Sequence, residues 1–225
     1  MSSHTAYQSQ PPDPYQKFTI GDVTLDGISD CAWRWNEYKL PDKFNGRSVL
    51  DVGAWDGYFA MEAKRRGAGR TMAIDYSVWL PPRNTYERFK ANLAKLQLDV
   101  EHEIRDVLTL TPQFGQFDIV LFLQVLYHMH DPYTAMRAVG SVCKSELWIE
   151  TEVLGEDEDR QCFWPQYTGC VTPVMWPSRK AIEGMINWIG FDFSLVADWK
   201  DHERAEYPGL RLRRMTWHCK RRSEQ

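Results

Sequence analysis

The chain has 225 residues, a formal net charge of −4 and a pI near 5.9. This length supports one sizeable core, so we expect a single folded domain. The acidic balance argues against a broadly basic nucleic-acid-binding surface, although a local basic patch at Arg211, Arg213 and Arg214 stays open. No apolar run approaches the roughly 18 residues of a membrane-spanning helix, so no membrane contact is expected.

The amino-terminal part divides by composition. Residues 1–17 are polar and proline-rich, which predicts a flexible tail. Residues 18–46 are rich in aromatic side chains, and we expect a segment that either caps a ligand site or packs across the sheet. The five cysteines form no CxxC pair and follow no signal-peptide core, which favours reduced thiols and a cytoplasmic protein. No metal is expected, and a homodimer is left open.

The stretch VLDVGAWDGYFA, residues 49–60, predicts a strand, a ligand-binding turn and a helix. Asp51 lies at the end of the strand, and Gly53 and Gly57 bracket the turn. Glycine allows the backbone to approach a ligand closely. Trp55 stands where a dinucleotide-binding loop would carry its second glycine, which disfavours a pyrophosphate and hence a nicotinamide cofactor.

A second short strand, MAIDYS at residues 72–77, ends in Asp75. Asp75 follows Asp51 at close to the offset of about 20 residues at which a Rossmann-like acid meets ribose hydroxyls. We expect Asp75 to accept from a ribose and Asp51 to favour an ammonium group, directly or through water. S-adenosylmethionine has both parts.

From Arg47 onward, strand and helix patterns alternate, which predicts an α/β fold with mostly parallel strands. Seven strands are expected, with Phe117–Leu123 central because it is apolar on both faces. The expected strands are 48–52, 71–75, 100–105, 117–123, 147–152, 193–197 and 210–218, and the expected helices are 58–66, 85–95, 133–142 and 179–189. The segment 155–177 breaks the pattern with an acidic run and large aromatics, and it predicts a substrate lid within a domain spanning residues 47–225.

The chain resembles the class I S-adenosylmethionine-dependent methyltransferases, and within them the branch similar to the tRNA wobble-uridine 5-oxyacetic acid methyltransferase. The resemblance rests on VLDVGAWDGYF, on FDIVLFLQVLYHMHDP from Phe117 to Pro132, and on WPSRKAIEGMINWIGF from Trp176 to Phe191. It implies a Rossmann-like, doubly wound, mostly parallel seven-stranded sheet. In that branch, the tyrosine matching Tyr127 contacts a carboxylated cofactor, and a cationic side chain before the glycine loop holds the extra carboxylate. No motif identifies Lys17, Lys39 or Lys43 as that cation, so ordinary S-adenosylmethionine is preferred.

Candidate catalytic residues follow the central strand, at the edge where doubly wound sheets bind ligands. His128 is the expected general base because histidine titrates near neutral pH, with His130 and Asp131 behind it. Tyr127 is expected to contact cofactor or substrate. The alternative for His128 is that it fixes the loop by hydrogen bonding, and for Tyr127 that it packs or braces the loop.

The remaining site residues are assigned by their position in this pattern. Asp106 is expected near the adenine amino group, with helix capping as the alternative, and Gln124 beside the sulfonium, with a surface amide as the alternative. Trp79 is expected to pack in the core rather than flank the adenine. The expected cofactor contacts are Asp51, Gly53, Ala54, Trp55, Gly57, Asp75, Tyr76, Asp106, Val107 and Gln124, and the expected substrate contacts are Tyr133, Trp164 and Trp176.

These residues predict methyl transfer from S-adenosylmethionine to an oxygen or nitrogen of a small molecule, in natural-product biosynthesis or a related pathway. The alternatives are methylation or carboxymethylation of a tRNA wobble uridine and a non-catalytic S-adenosylmethionine-binding module. The acidity and the short region before Gly53 disfavour tRNA.

Overall fold

A computed structural model describes residues 14–155, 161–163, 175–203 and 211–223. The chain begins with a small three-stranded sheet and a short helix. The strands are β1 (Gln16–Ile20), β2 (Val23–Asp26) and β3 (Ser29–Asp30), and the helix is α1 (Cys31–Glu37). Gln16 and Lys17 therefore belong to a strand and not to the predicted flexible tail, because Gln16 is buried against the glycine loop. Residues 1–13 of that tail lie outside the described part.

A seven-stranded sheet forms the body of the molecule. Its strands are β4 (Val49–Val52), β5 (Thr71–Asp75), β6 (Glu101–Ile104), β7 (Phe117–Leu123), β8 (Cys143–Leu154), β11 (Phe191–Glu203) and β12 (Arg211–Arg221). Their order is β11-β12-β8-β7-β4-β5-β6. β12 runs antiparallel to both β8 and β11, and the other neighbouring pairs are parallel. The predicted α/β sheet is confirmed.

The sheet is covered on both faces, which explains the continuous apolar sequence of its central strands. Four longer helices follow α1: α2 (Tyr58–Arg65), α3 (Tyr86–Leu96), α4 (Pro132–Val142) and α5 (Arg179–Trp188). Short 3-10 turns occupy Val107–Thr109, Pro112–Phe114 and Leu126–His128. One core cluster packs α4 and α5 against β7 and β8, and a second packs the amino-terminal segment, α2 and α3 against the opposite face.

α4 and α5 each begin at a side chain that caps the first turn of the helix. Asp131 accepts a hydrogen bond from the Thr134 backbone N–H at 2.9 Å, just before Pro132 at the first helical position. Ser178 accepts from the Ala181 backbone N–H at 3.1 Å. Asp131, a reserve candidate for the base, therefore serves as a helix cap in this structure.

The structure describes only Gly155 and two short strands of the predicted lid segment. These strands, β9 (Gln161–Phe163) and β10 (Met175–Pro177), pair antiparallel. Residues 156–160 and 164–174, including Trp164, lie outside the described residues. None of the helices in the described ranges combines the length and the apolar character of a membrane span.

Candidate functional site

The turn after β4 requires glycine at two positions, Gly53 and Gly57. Gly53 has a φ of +81°, and a Cβ there would lie 2.3 Å from Val125 Cγ2. Gly57 has a φ of +94°, and its Cβ would lie 2.6 Å from the Phe89 ring. Left-handed backbone and the lack of room both select glycine here. The turn thereby brings the main chain of residues 53–57 to the carboxyl edge of the sheet.

The turn is held to β5 by backbone hydrogen bonds and by Asp75. The backbone N–H groups of Gly53 and Ala54 donate to the Ile74 carbonyl at 2.8 and 3.0 Å. The Trp55 N–H donates to Asp75 Oδ2 at 3.0 Å. The two acids predicted to share one site are thus joined through the turn between them.

Burial changes the titration of both acids. Burial raises the pKa of Asp51 to about 7, opposed by the hydrogen bond from the Ala60 N–H and reinforced by Asp75. Burial likewise raises the pKa of Asp75 to about 6, against the backbone hydrogen bonds it accepts. Asp51 is 1% exposed and accepts from Ala60 at 3.0 Å, so in this structure it ties β4 to the start of α2. Its contact with a ligand ammonium stays a prediction.

Trp55 adopts a strained backbone in the middle of the turn, with a φ of +52°. Its carbonyl accepts a hydrogen bond from Trp79 Nε1 at 2.7 Å, and its ring packs on Tyr15 with centroids 4.6 Å apart. The Arg83 guanidinium lies over the same ring, 5.4 Å from its centroid. Trp55 thus forms a wall between the turn and the amino-terminal segment. Trp79 is 1% exposed, which confirms core packing for it.

Two supports of the turn were missed by the sequence reasoning. Asp56 is fully buried and pairs with Arg88 of α3 at 2.6 Å. The Gln16 amide donates to the Ala54 carbonyl at 3.4 Å and accepts from the Tyr58 N–H at 3.2 Å. The acid in the sequence AWDG could have pointed to Asp56, whereas no local pattern points to Gln16.

The ends of β5 and β6 form the side predicted to hold an adenosine. Tyr76 is half-exposed, and Val107 is buried in the core. Asp106 Oδ1 accepts from the Leu108 N–H at 2.9 Å, so the capping alternative is present in this structure. An additional contact of Asp106 with an adenine amino group stays a prediction.

Gln124 links the end of β7 to β8 and to the amino-terminal segment. It has a φ of +63°, and its backbone N–H donates to the Glu150 carbonyl at 3.0 Å. The Tyr15 hydroxyl donates to Gln124 Oε1 at 3.4 Å. Because Tyr15 also packs on Trp55, the glycine turn and the end of β7 share one wall.

The predicted catalytic residues lie in the 3-10 turn after β7 or just beyond it. Tyr127 is 3% exposed, and burial raises the pKa of its hydroxyl to about 12 despite the nearby Arg214 charge. The His128 ring lies 4.2 Å from the Tyr127 ring, centroid to centroid, whereas His130 is exposed. His128 therefore sits beside Tyr127, and its role as a base stays a prediction.

A buried charged cluster lies next to Tyr127, on the side of the sheet that faces α1. Arg214 of β12 donates to Glu150 Oε1 at 2.8 Å and to Glu152 Oε1 at 2.9 Å, and its Nη2 lies 3.4 Å from the Tyr127 hydroxyl. The two glutamates are at most 1% exposed. We define Glu150, Glu152 and Arg214 as the buried charge cluster.

The positions of the cluster residues follow from β-sheet geometry. Glu150 and Glu152 share a face of β8 because they are two residues apart. Arg214 of β12 lies directly opposite Glu152 of β8 in the antiparallel pair. Burial alone would lower the pKa of Arg214, but Tyr127 and the two carboxylates raise it well above its ordinary value. The surface patch left open for Arg211, Arg213 and Arg214 is therefore wrong for Arg214, whose side chain is only 11% exposed and pairs with Glu150 and Glu152.

Of the three predicted substrate residues, the structure describes Tyr133 and Trp176, and these two have different partners. Trp176 is fully buried, and its Nε1 donates to Glu152 Oε2 at 3.1 Å, so it touches the buried charge cluster. Tyr133 is half-exposed and packs edge-on against Trp188 of α5, with centroids 6.0 Å apart. Trp164 lies outside the described ranges.

The fold and the turn define a protein of the class I methyltransferase type. The turn carries Trp55 where a pyrophosphate-binding loop has its second glycine, and Asp75 stands at the adjacent strand end, an arrangement typical of a site for an adenosine-type cofactor. A family model described as a methyltransferase domain matches residues 31–196. The chain belongs to this family of S-adenosylmethionine-dependent methyltransferases. Membership of the family confirms S-adenosylmethionine as the predicted cofactor.

Known proteins agree with this assignment. The chain is 28% identical to a tRNA U34 carboxymethyltransferase of Aliivibrio salmonicida over 79% of its own length and 56% of the relative's. It is 30% identical to that of Dichelobacter nodosus over 82% of its own length and 59% of the relative's. The chain thus spans somewhat more than half of these curated relatives, which supports the predicted resemblance to their branch.

Solved structures confirm the fold. The N-terminal domain of EvdMO1, determined in the presence of S-adenosylhomocysteine and D-fucose, superposes with a TM-score of 0.66 at 16% identity, covering 93% of this chain and 92% of that one. The magnesium protoporphyrin IX methyltransferase of Synechocystis PCC 6803 gives a TM-score of 0.55 at 16% identity, covering 85% of this chain and 80% of that one.

Proposed function

We propose that this chain transfers a methyl group from S-adenosylmethionine to an oxygen or nitrogen atom of a small molecule. The observation that carries the proposal is the pairing of Arg214 with two buried carboxylates at the edge where an acceptor would meet the cofactor. A guanidinium neutralised in this way is a poor site for the extra carboxylate of a carboxylated cofactor. This favours simple methyl transfer over carboxymethyl transfer.

The proposed cofactor contacts are those of the glycine turn and of the neighbouring strand ends. Gly53, Ala54, Trp55 and Gly57 would bring main chain to the methionine part, and Asp75 would accept from the ribose. Asp51, Tyr76, Asp106, Val107 and Gln124 complete the proposed set. Bound S-adenosylmethionine supplies an electrophilic methyl group next to these residues.

The protein's part in the reaction is mainly positioning and exclusion of water. The acceptor's lone pair forms the new bond to carbon as the carbon–sulfur bond breaks and its electron pair stays on sulfur. The acceptor proton passes to a base, for which His128 is the candidate predicted from the sequence. Tyr127 and Trp176 are proposed walls of the acceptor site, and Tyr133 and Trp164 complete the proposed substrate set.

A second function is favoured by the relatives, which are named tRNA U34 carboxymethyltransferases. It would require a basic surface for the phosphate backbone, and binding that weakens steeply with salt. The net charge of −4 and the enclosure of Arg214 count against it.

The deciding experiment supplies methyl-labelled S-adenosylmethionine with three acceptor classes: neutral hydroxyl compounds such as D-fucose and simple phenols, small amines, and unmodified tRNA. Label in a hydroxyl or amine product supports the proposal. Label only in tRNA, with strong salt dependence, overturns it. Cofactor binding without turnover on any class would instead indicate a non-catalytic binding module.

We also propose that the reaction takes place in the cytoplasm. Cys31, Cys143 and Cys219 are buried and unpaired, which supports a reducing compartment and hence a cytoplasmic reaction. A role in natural-product biosynthesis and a homodimer are proposals of the same standing.

A further inference from the structure

A surface pocket of about 590 Å³ lies at the edge of the sheet opposite the glycine turn. Two of its lining residues, Gln116 and Cys143, stand directly before β7 and at the first position of β8. The strands β4, β7 and β8 are parallel, and the glycine turn follows the carboxyl end of β4. The pocket is therefore separate from the proposed methyl-transfer site. Its volume is usual for a small-molecule site, for which about 300–1,000 Å³ is typical.

Three basic side chains line this pocket although the chain has a net charge of −4: Arg137, Lys144 and Arg221. Among the residues that the structure describes, no acidic side chain joins them in the lining. Lys144 pairs with Asp118 at 2.8 Å. Arg137 lies within electrostatic range of Asp131 but, like Arg221, forms no ion pair in the described ranges. Two exposed guanidinium groups thus lack a counter-ion, which favours an anionic ligand.

The guanidinium of Arg221 is held in one orientation at the end of α4. Its Nε donates to the Cys143 carbonyl at 2.8 Å, and its Nη2 donates to the Gly140 carbonyl. The group also lies over the Phe191 ring, 4.5 Å from the centroid. Within the described residues its Nη1 makes no hydrogen bond, so this nitrogen is available to a ligand in the pocket. An oriented guanidinium suits phosphate or carboxylate, whose oxygens match its planar fork.

Arg137 and Trp188 are brought to the same place by the packing of α5 against α4. Arg137 precedes Gly140 by three residues, so the two lie on one helix face about one turn apart. A Cβ at Gly140 would lie 3.3 Å from Ile189 Cβ, so glycine lets the end of α5 come close. Trp188, which precedes Ile189, packs on Tyr133, four residues before Arg137 on the same face. Basic and aromatic groups therefore meet around Gly140.

Trp188 gives the pocket an exposed aromatic surface. Its side chain is 58% exposed, whereas tryptophan is highly buried on average. An exposed indole ring can stack on any planar ring, and bases stack on aromatic side chains without a strong sequence preference. Gln116, at the rim of the sheet, offers both an amide donor and an amide acceptor for the polar edge of such a ring. The lining thus suits a ligand that joins an anion to a planar polar ring.

We propose that this pocket binds a free nucleotide, with its phosphate on Arg137 and Arg221 and its base on Trp188. A nucleotide combines the anion and the ring that the lining can hold. Inorganic phosphate lacks the ring, and a nucleoside lacks the charge, so each leaves part of the lining unused. Because the pocket lies at the other edge of the sheet, this inference does not rest on the proposed methyl transfer.

The test uses cytidine monophosphate as the probe, with the full chain saturated with S-adenosylhomocysteine so that the cofactor site is filled. By titration calorimetry at low ionic strength, cytidine monophosphate should bind at least about tenfold more tightly than cytidine, which lacks the charge-assisted hydrogen bonds of the phosphate. It should also bind at least about tenfold more tightly than inorganic phosphate, which cannot stack on Trp188.

Two variants separate the contributions of charge and ring. Arg137→Gln should weaken the binding of cytidine monophosphate about tenfold and leave the affinity for cytidine unchanged. Trp188→Ala should weaken it about tenfold and leave the affinity for phosphate unchanged. Arg221 is kept because its hydrogen bonds also close the end of α4.

The matched controls remove an exposed arginine of α2 and an exposed tryptophan of α1, whose helices pack against the other face of the sheet. Arg65→Gln and Trp33→Ala should keep the wild-type affinity for cytidine monophosphate. All four variants should keep their affinity for S-adenosylhomocysteine, which reports that they are folded.

Three results would overturn the proposal. The first is cytidine monophosphate that binds no more tightly than cytidine or than inorganic phosphate. The second is a folded Arg137→Gln or Trp188→Ala variant with the wild-type affinity, because the nucleotide would then bind elsewhere. The third is unmodified tRNA that loses affinity in Arg137→Gln while cytidine monophosphate does not bind, which would assign this surface to an RNA strand.

Discussion

The glycine turn and the buried charge cluster lie at the same edge of the sheet but are built by different means. The turn holds its shape with backbone hydrogen bonds to the neighbouring strand, and its two glycines, Gly53 and Gly57, are four residues apart. The cluster joins Glu150 to Arg214, 64 residues apart in the chain. Backbone atoms thus form the part of the proposed site that would bind the cofactor, and buried charged side chains form the part that would bind the methyl acceptor.

The largest expected effect tests the buried charge cluster. Arg214→Met should lower the free energy of unfolding by about 3–5 kcal/mol, because it leaves two buried carboxylates without a counter-charge. Arg213→Met is the control, since its ion pair with Asp198 is partly exposed and should contribute at most about 1 kcal/mol. Urea unfolding of both variants measures the difference, and equal losses would show that the cluster is not a buried charge pair in solution.

The next effect tests the turn. Gly53→Ala should cost about 2–4 kcal/mol, since it combines a left-handed backbone with a Cβ driven into Val125, and it should weaken S-adenosylhomocysteine binding. Gly46→Ala has a similar φ of +76° with nothing within 4 Å, so it should cost only about 1–2 kcal/mol and leave binding unchanged. Denaturation and calorimetry on both variants separate strain from steric exclusion. Similar losses of stability in the two variants would show that the close contact of residue 53 with Val125 adds nothing to the cost.

A third comparison separates stability from cofactor binding. Asp75→Asn should weaken S-adenosylhomocysteine binding about tenfold or more, since a charge-assisted hydrogen bond is lost. It should also raise the free energy of unfolding at pH 8, by about 2–3 kcal/mol, because a pKa raised to about 6 means that folding penalises the ionised group. This gain is present above pH 6 and disappears once the pH falls below the ordinary aspartate pKa of 3.8, where the wild-type acid is protonated in both states.

Asp118→Asn is the matched control for Asp75. The ion pair with Lys144 lowers the pKa of Asp118 to about 2, so its ionised form stabilises the fold. The variant should therefore lose stability at pH 8, the opposite of Asp75→Asn, and should keep the cofactor affinity that Asp75→Asn loses. Thermal melts at pH 4 and pH 8 with calorimetry would show it, and changes of the same sign in both variants would refute the pKa argument.

The smallest effect sharpens the assignment of the base. If His128 only packs on Tyr127 and takes no proton, His128→Asn should slow turnover by about two- to tenfold, the range of one aromatic contact. His130→Asn, in the exposed neighbouring position, should have no effect. A loss of about 100-fold or more for His128→Asn would support His128 as the base.

Much of the fold was predictable because its signals are local. Val49–Val52, Thr71–Asp75 and Phe117–Leu123 are apolar runs that end in polar residues or turns, and all three are strands in the structure. Gly53 and Gly57 marked the turn because no other residue fits its backbone. The boundary of the amino-terminal tail was misplaced, because Gln16 is ordered by its contacts with Ala54 and Tyr58, 38 and 42 residues away.

Local patterns in the sequence were enough to predict the mostly parallel sheet, the glycine turn, the strand-end acids Asp51 and Asp75, and the family, because each depends on hydrophobic period, strand ends or short spacing. The buried charge cluster of Glu150, Glu152 and Arg214 beside Tyr127 emerged only from the packing of distant strands. The two acids in the apolar run LWIETEVL were a visible signal. Their partner was not, because pairing across strands depends on sheet order and register, which no local pattern in this chain specifies.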